Sequence, residues 1–312
     1  MRPEDIEIAN SLSQKLIEFA KKTHPLPGIA KPQAMESLVA QMVDSIRRVK
    51  YVETIRDKEL SASCTDPNNP NYDPVKAAAY FRQNGNINEA HWQVFLAIHF
   101  GKNLKSGWRL AREVYRAEGN AHHWDWQHVS NDIEGFILWL RLNTARLKRI
   151  GSFGNHRKYQ SLNADSNAGT GSTVRSYIGW IGDTKDHHDL VKNAVENGGN
   201  NPQALFDILY QGIDQVKGFG RMAKFDYLTM CGKLGIVDIE PGSAYMENAT
   251  GPVTGGRLLF EGKKNGVLTE KELDDLLMSL QEKLQLRFGM QVLEDAICNW
   301  QKSPNTYIPF RG

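Results

Sequence analysis

The chain has 312 residues, of which 40% are hydrophobic and 24% are charged. This composition is typical of a globular protein and excludes a disordered, collagenous or coiled-coil chain. The 38 lysines and arginines nearly balance the 36 aspartates and glutamates, for a formal net charge of +2, so a polyanionic partner must be argued from local clusters of charge.

The N-terminal segment does not have the pattern of a targeting sequence. MRPEDIEIAN places acidic residues where a signal peptide needs basic and then apolar ones. No apolar run approaches the roughly 20 residues that span a bilayer, so we expect a cytoplasmic protein without a membrane partner. Cys64, Cys231 and Cys298 are far apart in the sequence. We therefore expect each of them to be a single buried thiol. Their spacing argues against a disulfide framework, a zinc site or an iron–sulfur cluster, and we expect no metal and no cofactor.

In chain order, three prolines separate an N-terminal helix from a helix near 33–57, and the segment 65–74 has the composition of turns. Apolar residues then recur with helical spacing in 133–147, 273–284 and 292–300. The second of these stripes follows Thr and Glu in the spacing of a capping box. Long alternating strand patterns are missing, so the sequence predicts an all-α protein.

The length suits two ordinary domains or one large bilobed domain. Asn163 to Thr173 is rich in Ser, Asn and Gly, which predicts a mobile loop. We therefore expect the boundary between two lobes near 160–175, within a main region at 76–312. Residues 1–75 are expected to form an N-terminal helical extension.

The first segment with functional chemistry is RLNTARLKRIGSFGNHRKY, residues 141–159, which contains six lysines and arginines and no acidic residue. Positive charge at a helix end and in the following glycine loop is typical of a phosphate-binding segment. The alternative is a solvated helix face whose charges complement the helix dipole. The candidate phosphate ligands here are Arg149, Asn155, His156, Arg157 and Lys158.

The second segment, residues 200–235, predicts two helices joined by a tight turn at Lys217-Gly218-Phe219-Gly220, followed by Arg221. Two glycines allow a sharp turn, and the first amides of the second helix carry partial positive charge. Such a hairpin can hold a DNA phosphate without reading sequence. The alternative is that the glycines only join two packed helices. The P-loop pattern is absent, so nucleoside triphosphate hydrolysis is not indicated.

The third segment, IVDIEPGSAY at 236–245, supplies acidic residues directly after the hairpin. Glu240 stands 20 residues beyond Gly220, and Asp238 lies two residues before it. In the helix-hairpin-helix DNA glycosylases, which the hairpin segment resembles, an acid at about this distance faces the sugar of a flipped nucleotide. The alternative is an acid that caps a helix or is solvated.

Several strings together resemble the α-glutamyl/putrescinyl thymine pyrophosphorylase family, clade 3, over roughly residues 80–312. These strings are GNHRKY at 154–159, GFGRMAKFDYLTMCGKLG at 218–235, EPGSAY at 240–245, ATGP at 249–252 and MQVLEDAICNWQKSP at 290–304. The resemblance implies a bilobed, all-α helix-hairpin-helix DNA glycosylase-like fold. It also implies an enzyme that acts on hypermodified thymine in phage DNA. Some relatives are antiviral glycosylases that remove glucosylated hydroxymethylcytosine.

The resemblance implies a monofunctional glycosylase that acts on double-stranded DNA carrying modified bases. Met222 stands where lyase-type glycosylases carry a lysine, so we expect base excision without strand cleavage. Glu240 is the first candidate for the catalytic carboxylate, followed by Asp238 and Asp226, and His156 or Lys158 is the candidate proton donor. The candidate base-stacking residues are Tyr245, Trp180 and Trp300. An enzyme that modifies the base without releasing it and a non-catalytic DNA-binding module remain as alternatives.

Overall fold

The structure, a computed structural model, describes residues 3–309, except the side chains of Pro3 and Asn155. Within this range it contains helices and two isolated β-bridges but no strand, which confirms the predicted all-α class. None of the described helices is both long enough and apolar enough to cross a bilayer. Cys231 is buried, whereas Cys64 and Cys298 are half-buried, and none of the three is in a disulfide.

Fourteen α-helices follow one another along the described residues. They are α1 (Pro3–Lys22), α2 (Pro32–Asp57), α3 (Pro74–Gln83), α4 (Ile87–Phe100), α5 (Arg109–Arg116), α6 (Trp126–Asn131), α7 (Ile133–Ile150), α8 (Thr170–Ile181), α9 (His187–Gly198), α10 (Pro202–Gly212), α11 (Arg221–Lys233), α12 (Thr250–Glu261), α13 (Glu270–Leu284) and α14 (Gly289–Trp300). Four short 3₁₀ turns lie in the connections.

The chain divides into two compact units at 51/52 and 239/240. Unit 1 combines residues 3–51 with 240–309, and unit 2 is 52–239. This differs from the expected boundary at 160–175 and from the expected extension at 1–75. The loop before α8 lies inside unit 2, where the Thr170 amide donates to the Ser161 carbonyl over 2.8 Å. The Ser, Asn and Gly residues there form hydrogen-bonded turns, because short polar side chains replace backbone partners.

Unit 1 is built around one apolar core to which both ends of the chain contribute. Leu16 and Phe19 of α1 are buried in the same cluster as Leu280 of α13 and Trp300 of α14. The capping box predicted at the start of α13 is present, with the Glu272 amide and the Thr269 side chain bonded as expected. Local signals therefore place each helix, and burial of their apolar faces joins the first helices to the last.

Unit 2 surrounds α4, which is buried on nearly all sides. Trp92 and Phe95 of this helix are fully buried, and the ring of Phe95 lies 4.3 Å from Tyr177 of α8 and 5.5 Å from Phe219 of the hairpin. A helix that is buried all round needs neighbours on every face. Helices α3, α9 and α11 supply such neighbours, so α4 positions the hairpin.

Candidate nucleic-acid interface and two cavities

Helix α10, a 3₁₀ turn at Ile213–Gln215, a tight turn and helix α11 form the predicted helix-hairpin-helix. The Asn201 side chain caps α10 by accepting from the amides of Gln203 and Ala204, and Pro202 occupies its first turn. Helix α11 begins at Arg221 with Gly220 as its N-cap. Because glycine has no side chain, this N-cap cannot itself satisfy the first amides of the helix.

The two hairpin glycines have different structural roles. Gly218 has φ +78°, and a Cβ on it would lie 3.0 Å from Oγ1 of Thr173. Gly220 has φ −73°, and a Cβ there would meet no described atom within 4 Å. Phe219 between them is buried and stacks on Phe95, which corrects its expected place among the DNA-binding residues. The hairpin is thus anchored by its apolar residue, while both glycines are exposed.

The basic loop of residues 151–160 lies directly beside the hairpin. Nε2 of Gln160 donates to the carbonyl of Gly218 over 3.2 Å. Lys217 is held from the other side, with its amide 2.9 Å from Oγ of Ser176 and its Nζ 2.6 Å from Oδ1 of Asn167. The structure therefore brings together two segments that were predicted as separate candidate sites.

Four of the candidate phosphate ligands have cationic side chains that are exposed or half-exposed. Nζ of Lys158 lies 5.0 Å above the ring of Tyr159, and the guanidinium of Arg221 lies 5.9 Å from the ring of Phe225. Lys217 and Arg149 are also exposed, the latter in the last turn of α7. We call Lys158, Lys217, Gly218, Gly220 and Arg221 the hairpin surface. His156 is exposed in the same loop, and the side chain of Asn155 lies outside the described atoms.

Arg157 does not belong to this exposed set, which corrects its expected role as a phosphate ligand. It is only 8% exposed, its Nε donates to the carbonyl of Ile98 over 2.8 Å, and its Nη2 lies 2.9 Å from Oδ2 of Asp226. Burial lowers the pKa of this guanidinium and Asp226 opposes that shift. Arg157 therefore holds α11 against the loop, and the charge of Asp226, a candidate catalytic acid, is already balanced by it.

Glu240 is the first residue of the second part of unit 1, which comprises residues 240–309. Its Oε1 accepts a hydrogen bond of 2.7 Å from the amide of Phe288, the N-cap residue of α14. Further along, Asp274 accepts from the amides of Ala244 and Met246, over 3.0 and 2.8 Å. These two carboxylates hold the 240–246 segment in place. Asp274 was not predicted as a site residue, because its position in α13 gives no sign of a partner 30 residues earlier.

The three aromatic candidates for base stacking differ in exposure. Trp300 is 0% exposed and its Nε1 donates to the carbonyls of Ala34 and Pro304, so a base cannot reach it without opening the core of unit 1. Trp180 is buried against Tyr227. Tyr245 is half-buried, with φ +49°. The structure makes Trp300 a core residue, which corrects its expected role.

A cavity of about 490 Å³ in unit 2 includes Asp238, the second candidate acid. Its walls are mostly aliphatic, and its polar lining comes from α4, α9, the connection between α9 and α10, and the 236–238 segment. The lining residues are Ile87, His91, His187, His188, Val191, Val195, Asn200, Leu205, Ile236, Val237 and Asp238. Neither His91 nor His187 was predicted from the sequence to have a functional role. An apolar cavity with a few converging polar groups is the usual form of a ligand site.

A second cavity of unit 2, about 440 Å³, contains the buried carboxyl of Glu89. Its Oε2 accepts from the amide of Trp126 over 2.7 Å and its Oε1 from Nε2 of Gln93 over 2.8 Å. Burial raises the pKa of Glu89 to about 7, and these hydrogen bonds only partly oppose the shift. Glu89 thus caps α6 and titrates near neutral pH. Nothing in the sequence distinguished it from the other glutamates.

The family model described as alpha-glutamyl/putrescinyl thymine pyrophosphorylase clade 3 matches residues 33–312. The chain belongs to this family. Comparisons with curated proteins and with solved structures gave no match.

The match to thymine pyrophosphorylase clade 3 extends further towards the N-terminus than the resemblance seen in the sequence, which began near residue 80. It covers nearly all of α2, the whole of unit 2 and the C-terminal part of unit 1. The family name denotes an enzyme of modified thymine. The hairpin surface and both cavities lie within the matched residues.

Proposed function

We propose that this protein is a monofunctional DNA glycosylase of antiviral defence. It everts a bulky modified pyrimidine from double-stranded phage DNA, such as glucosylated hydroxymethylcytosine, and releases the base to leave an abasic site. We place this activity in the cytoplasm. The observation that carries the proposal is the contact between Gln160 and Gly218, which joins the basic loop and the hairpin into one cationic surface.

The hairpin surface suits a DNA phosphate for three reasons. Gly220 opens α11 with an exposed backbone, where the helix dipole favours an anion. Lys217 and Arg221 flank the turn and add positive charge. Lys158 extends this charge into the adjoining loop. Contacts of this kind fix the position of a duplex without reading its sequence.

The chemistry requires a carboxylate beside the deoxyribose. Breaking the glycosidic bond develops positive charge on the sugar, which an ionised acid stabilises while it orients or deprotonates the attacking water. The water oxygen bonds to C1′, and the base leaves with the bonding electron pair and takes up a proton. We assign the carboxylate to Glu240, which the Phe288 amide holds in place, with Asp238 second. Asp226 ranks last because Arg157 neutralises it, and His156 or Lys158 is the proposed proton donor.

The identity of residue 222 favours an abasic site, rather than a cleaved strand, as the product. Met222 is exposed in the first turn of α11, at the position where lyase-type enzymes carry a lysine. A thioether cannot form the Schiff base that strand cleavage needs. Base release therefore ends the reaction of this protein.

The family name favours a second candidate function, in which the glycosidic bond stays intact and the substituent on the pyrimidine is changed. This reaction needs an activated substrate or a second small molecule. A further alternative is a module that binds DNA without catalysis.

One assay separates these functions. The protein is incubated with duplexes containing unmodified, hydroxymethylated or glucosylated pyrimidines, and alkali-labile sites and released bases are measured, the latter by mass spectrometry. We expect free base and abasic sites from a modified duplex only. A change in the mass of the base without release supports the modifying enzyme, and retention of unaltered DNA supports the binding module.

Three isosteric variants assign the acid. Glu240→Gln should abolish release while DNA affinity stays within a few-fold, because the change removes charge but not shape. Asp238→Asn and Asp226→Asn are the matched controls. If Glu240→Gln turns over like the unaltered protein, the role passes to whichever control loses activity.

A further inference from the structure

Five side chains of unit 2 form a continuous chain of hydrogen bonds that ends at the 490 Å³ cavity. Oδ1 of Asn88 lies 2.7 Å from Nδ1 of His187, whose Nε2 lies 2.8 Å from the Tyr177 hydroxyl. That hydroxyl lies 2.8 Å from the Tyr227 hydroxyl, which lies 2.9 Å from Nδ1 of His91. All four ring-bearing members are buried.

A backbone amide sets the direction of every bond in this chain. The amide of His187 can only donate, and it donates to Oδ1 of Asn88 over 2.8 Å, so this atom is an acceptor. Nδ1 of His187 must then carry a proton, and its Nε2 must accept from Tyr177. Tyr177 has one proton, so it accepts from Tyr227, and Tyr227 in turn accepts from Nδ1–H of His91.

The chain leaves Nε2 of His91 as an unprotonated acceptor. This atom is buried and has no hydrogen-bond partner among the described atoms. His91 is 4% exposed and lines the cavity. Burial lowers the pKa of His91 to about 3, so the ring stays neutral at physiological pH. A buried acceptor without a partner calls for a donor from outside the protein.

The cavity suits a planar ring that carries such a donor. Aliphatic side chains of α9 and α10, including Val191, Val195 and Leu205, line the cavity, and Asn200 and Asp238 add polar groups. The volume of about 490 Å³ exceeds what an unmodified pyrimidine needs, which leaves room for a substituent. Thymine-type pyrimidines offer N3–H and cytosine-type pyrimidines offer N4–H on the same edge of the ring.

We propose that this cavity is a pyrimidine-recognition pocket, in which Nε2 of His91 accepts a hydrogen bond from an N–H on the Watson–Crick edge of the base. Tyr227, Tyr177 and His187 are positioning residues that keep His91 in the accepting tautomer. The proposal rests on the proposed function, since an everted modified base is the pyrimidine that enters the pocket. It adds the residue that reads the base.

Paired nucleosides test this proposal by calorimetric titration of the full chain. One pair is 5-hydroxymethyl-2′-deoxyuridine and its N3-methyl derivative, and the other is 5-hydroxymethyl-2′-deoxycytidine and its N4,N4-dimethyl derivative. We expect at least one unmethylated nucleoside to bind and its methylated partner to bind about tenfold more weakly or not at all. The pair that shows the loss identifies the type of base. Equal binding within both pairs, or no binding of any nucleoside, overturns the proposal.

Two variants separate recognition from folding. His91→Asn keeps an amide donor towards Tyr227 but removes the acceptor, so it should abolish the difference between paired nucleosides. His99→Asn is the matched control, because His99 is equally buried in α4 but bonds to Thr170 outside the cavity. The control should retain that difference, and thermal unfolding of both variants checks that they fold.

Tyr227→Phe tests the positioning role without any ligand. It removes the hydroxyl that accepts from His91 Nδ1–H and leaves only the Cys231 sulfur, 3.6 Å from Nδ1 and a weak acceptor, so the proton can move to Nε2. Nitrogen NMR of labelled imidazole should show an unprotonated Nε2 at His91 in the unaltered protein and a mixture of tautomers in the variant. A protonated Nε2 in the unaltered protein overturns the proposal.

The outcomes also separate this inference from the proposed function. Selective nucleoside binding without base release from any DNA contradicts the glycosylase function alone. Base release that His91→Asn leaves unchanged contradicts the recognition role of His91 alone.

Discussion

Nη2 of Arg157 lies 2.9 Å from Oδ2 of Asp226, and this ion pair ties the basic loop to the second helix of the hairpin. The two residues are 69 positions apart. Because Arg157 also donates to the carbonyl of Ile98, it links the loop to the central helix α4. The pair therefore sets the position of the loop relative to the hairpin, on which the proposed phosphate site depends.

Arg157→Met should destabilise the fold strongly, because it leaves the carbonyl of Ile98 and the carboxylate of Asp226 without their guanidinium. Breaking a buried ion pair costs about 3–5 kcal/mol. Asp226 keeps access to water, so we expect about 2–3 kcal/mol here, measured as the free energy of unfolding in urea. Lys158→Ala, an exposed neighbour, should change it by less than about 0.5 kcal/mol. An unchanged urea midpoint in Arg157→Met contradicts the structural role of the pair.

Alanine at the two hairpin glycines should separate folding from binding. Gly218→Ala places a side chain at φ +78° against Thr173 and should cost about 1–2 kcal/mol of stability. Gly220→Ala has space and an ordinary φ, so it should cost at most about 1 kcal/mol. Its methyl group should nevertheless weaken DNA binding by obstructing the backbone at the start of α11. Thermal unfolding and filter binding measure the two effects. Full DNA affinity in Gly220→Ala argues against phosphate contact at this turn.

The double variant Lys217→Ala/Arg221→Ala should weaken binding to all duplexes alike. Each lost phosphate contact lowers the slope of log K against log salt by about 0.9, so two contacts lower it by about 2. Affinity measured across a salt series checks this. Lys192→Ala, an exposed lysine of α9, is the control for a simple change in net charge. Loss of binding to one sequence only disagrees with a phosphate role.

Glu89 should make stability depend on pH in the opposite direction to most carboxylates. Its pKa is raised from 4.5 to about 7 in the fold, so the folded state binds a proton more tightly than the unfolded state. The stabilisation is complete below pH 4.5 and is lost as the pH rises through about 7. At about 1.4 kcal/mol per pH unit, the total is on the order of 3 kcal/mol.

Glu89→Gln checks this expectation, since an amide does not titrate. The stability of this variant relative to the unaltered protein should rise by roughly 3 kcal/mol between pH 4 and pH 8, as measured by urea unfolding. The difference between the two proteins cancels the contribution of the buried histidines. Those histidines act in the opposite sense: the lowered pKa of His91 gives stability that is present above pH 6.5 and is lost as the pH falls towards 3. Glu196→Gln, on an exposed position of α9, should show no such trend.

The sequence by itself determined the elements of this protein. Helical stripes, the Thr269 and Glu272 capping box and the Pro202 helix start were all predicted, and so was the glycine turn at 218–220. Each of these depends on residues within about four positions of one another, because helix hydrogen bonds, caps and tight turns are local. The family followed from short strings of residues, which need no tertiary structure.

Only the tertiary structure decided which residues meet. The same loop supplies Lys158 to the surface and buries Arg157, although both are basic residues of one short string. Asn88 and Tyr227 lie far apart in sequence, yet both belong to the chain of hydrogen bonds that reaches His91. The first and the last helix share one apolar core, because the free energy gained by burying apolar surface does not depend on how far apart the residues are in the sequence. Contacts of this kind depend on how the helices pack, which the order of residues along one helix does not encode.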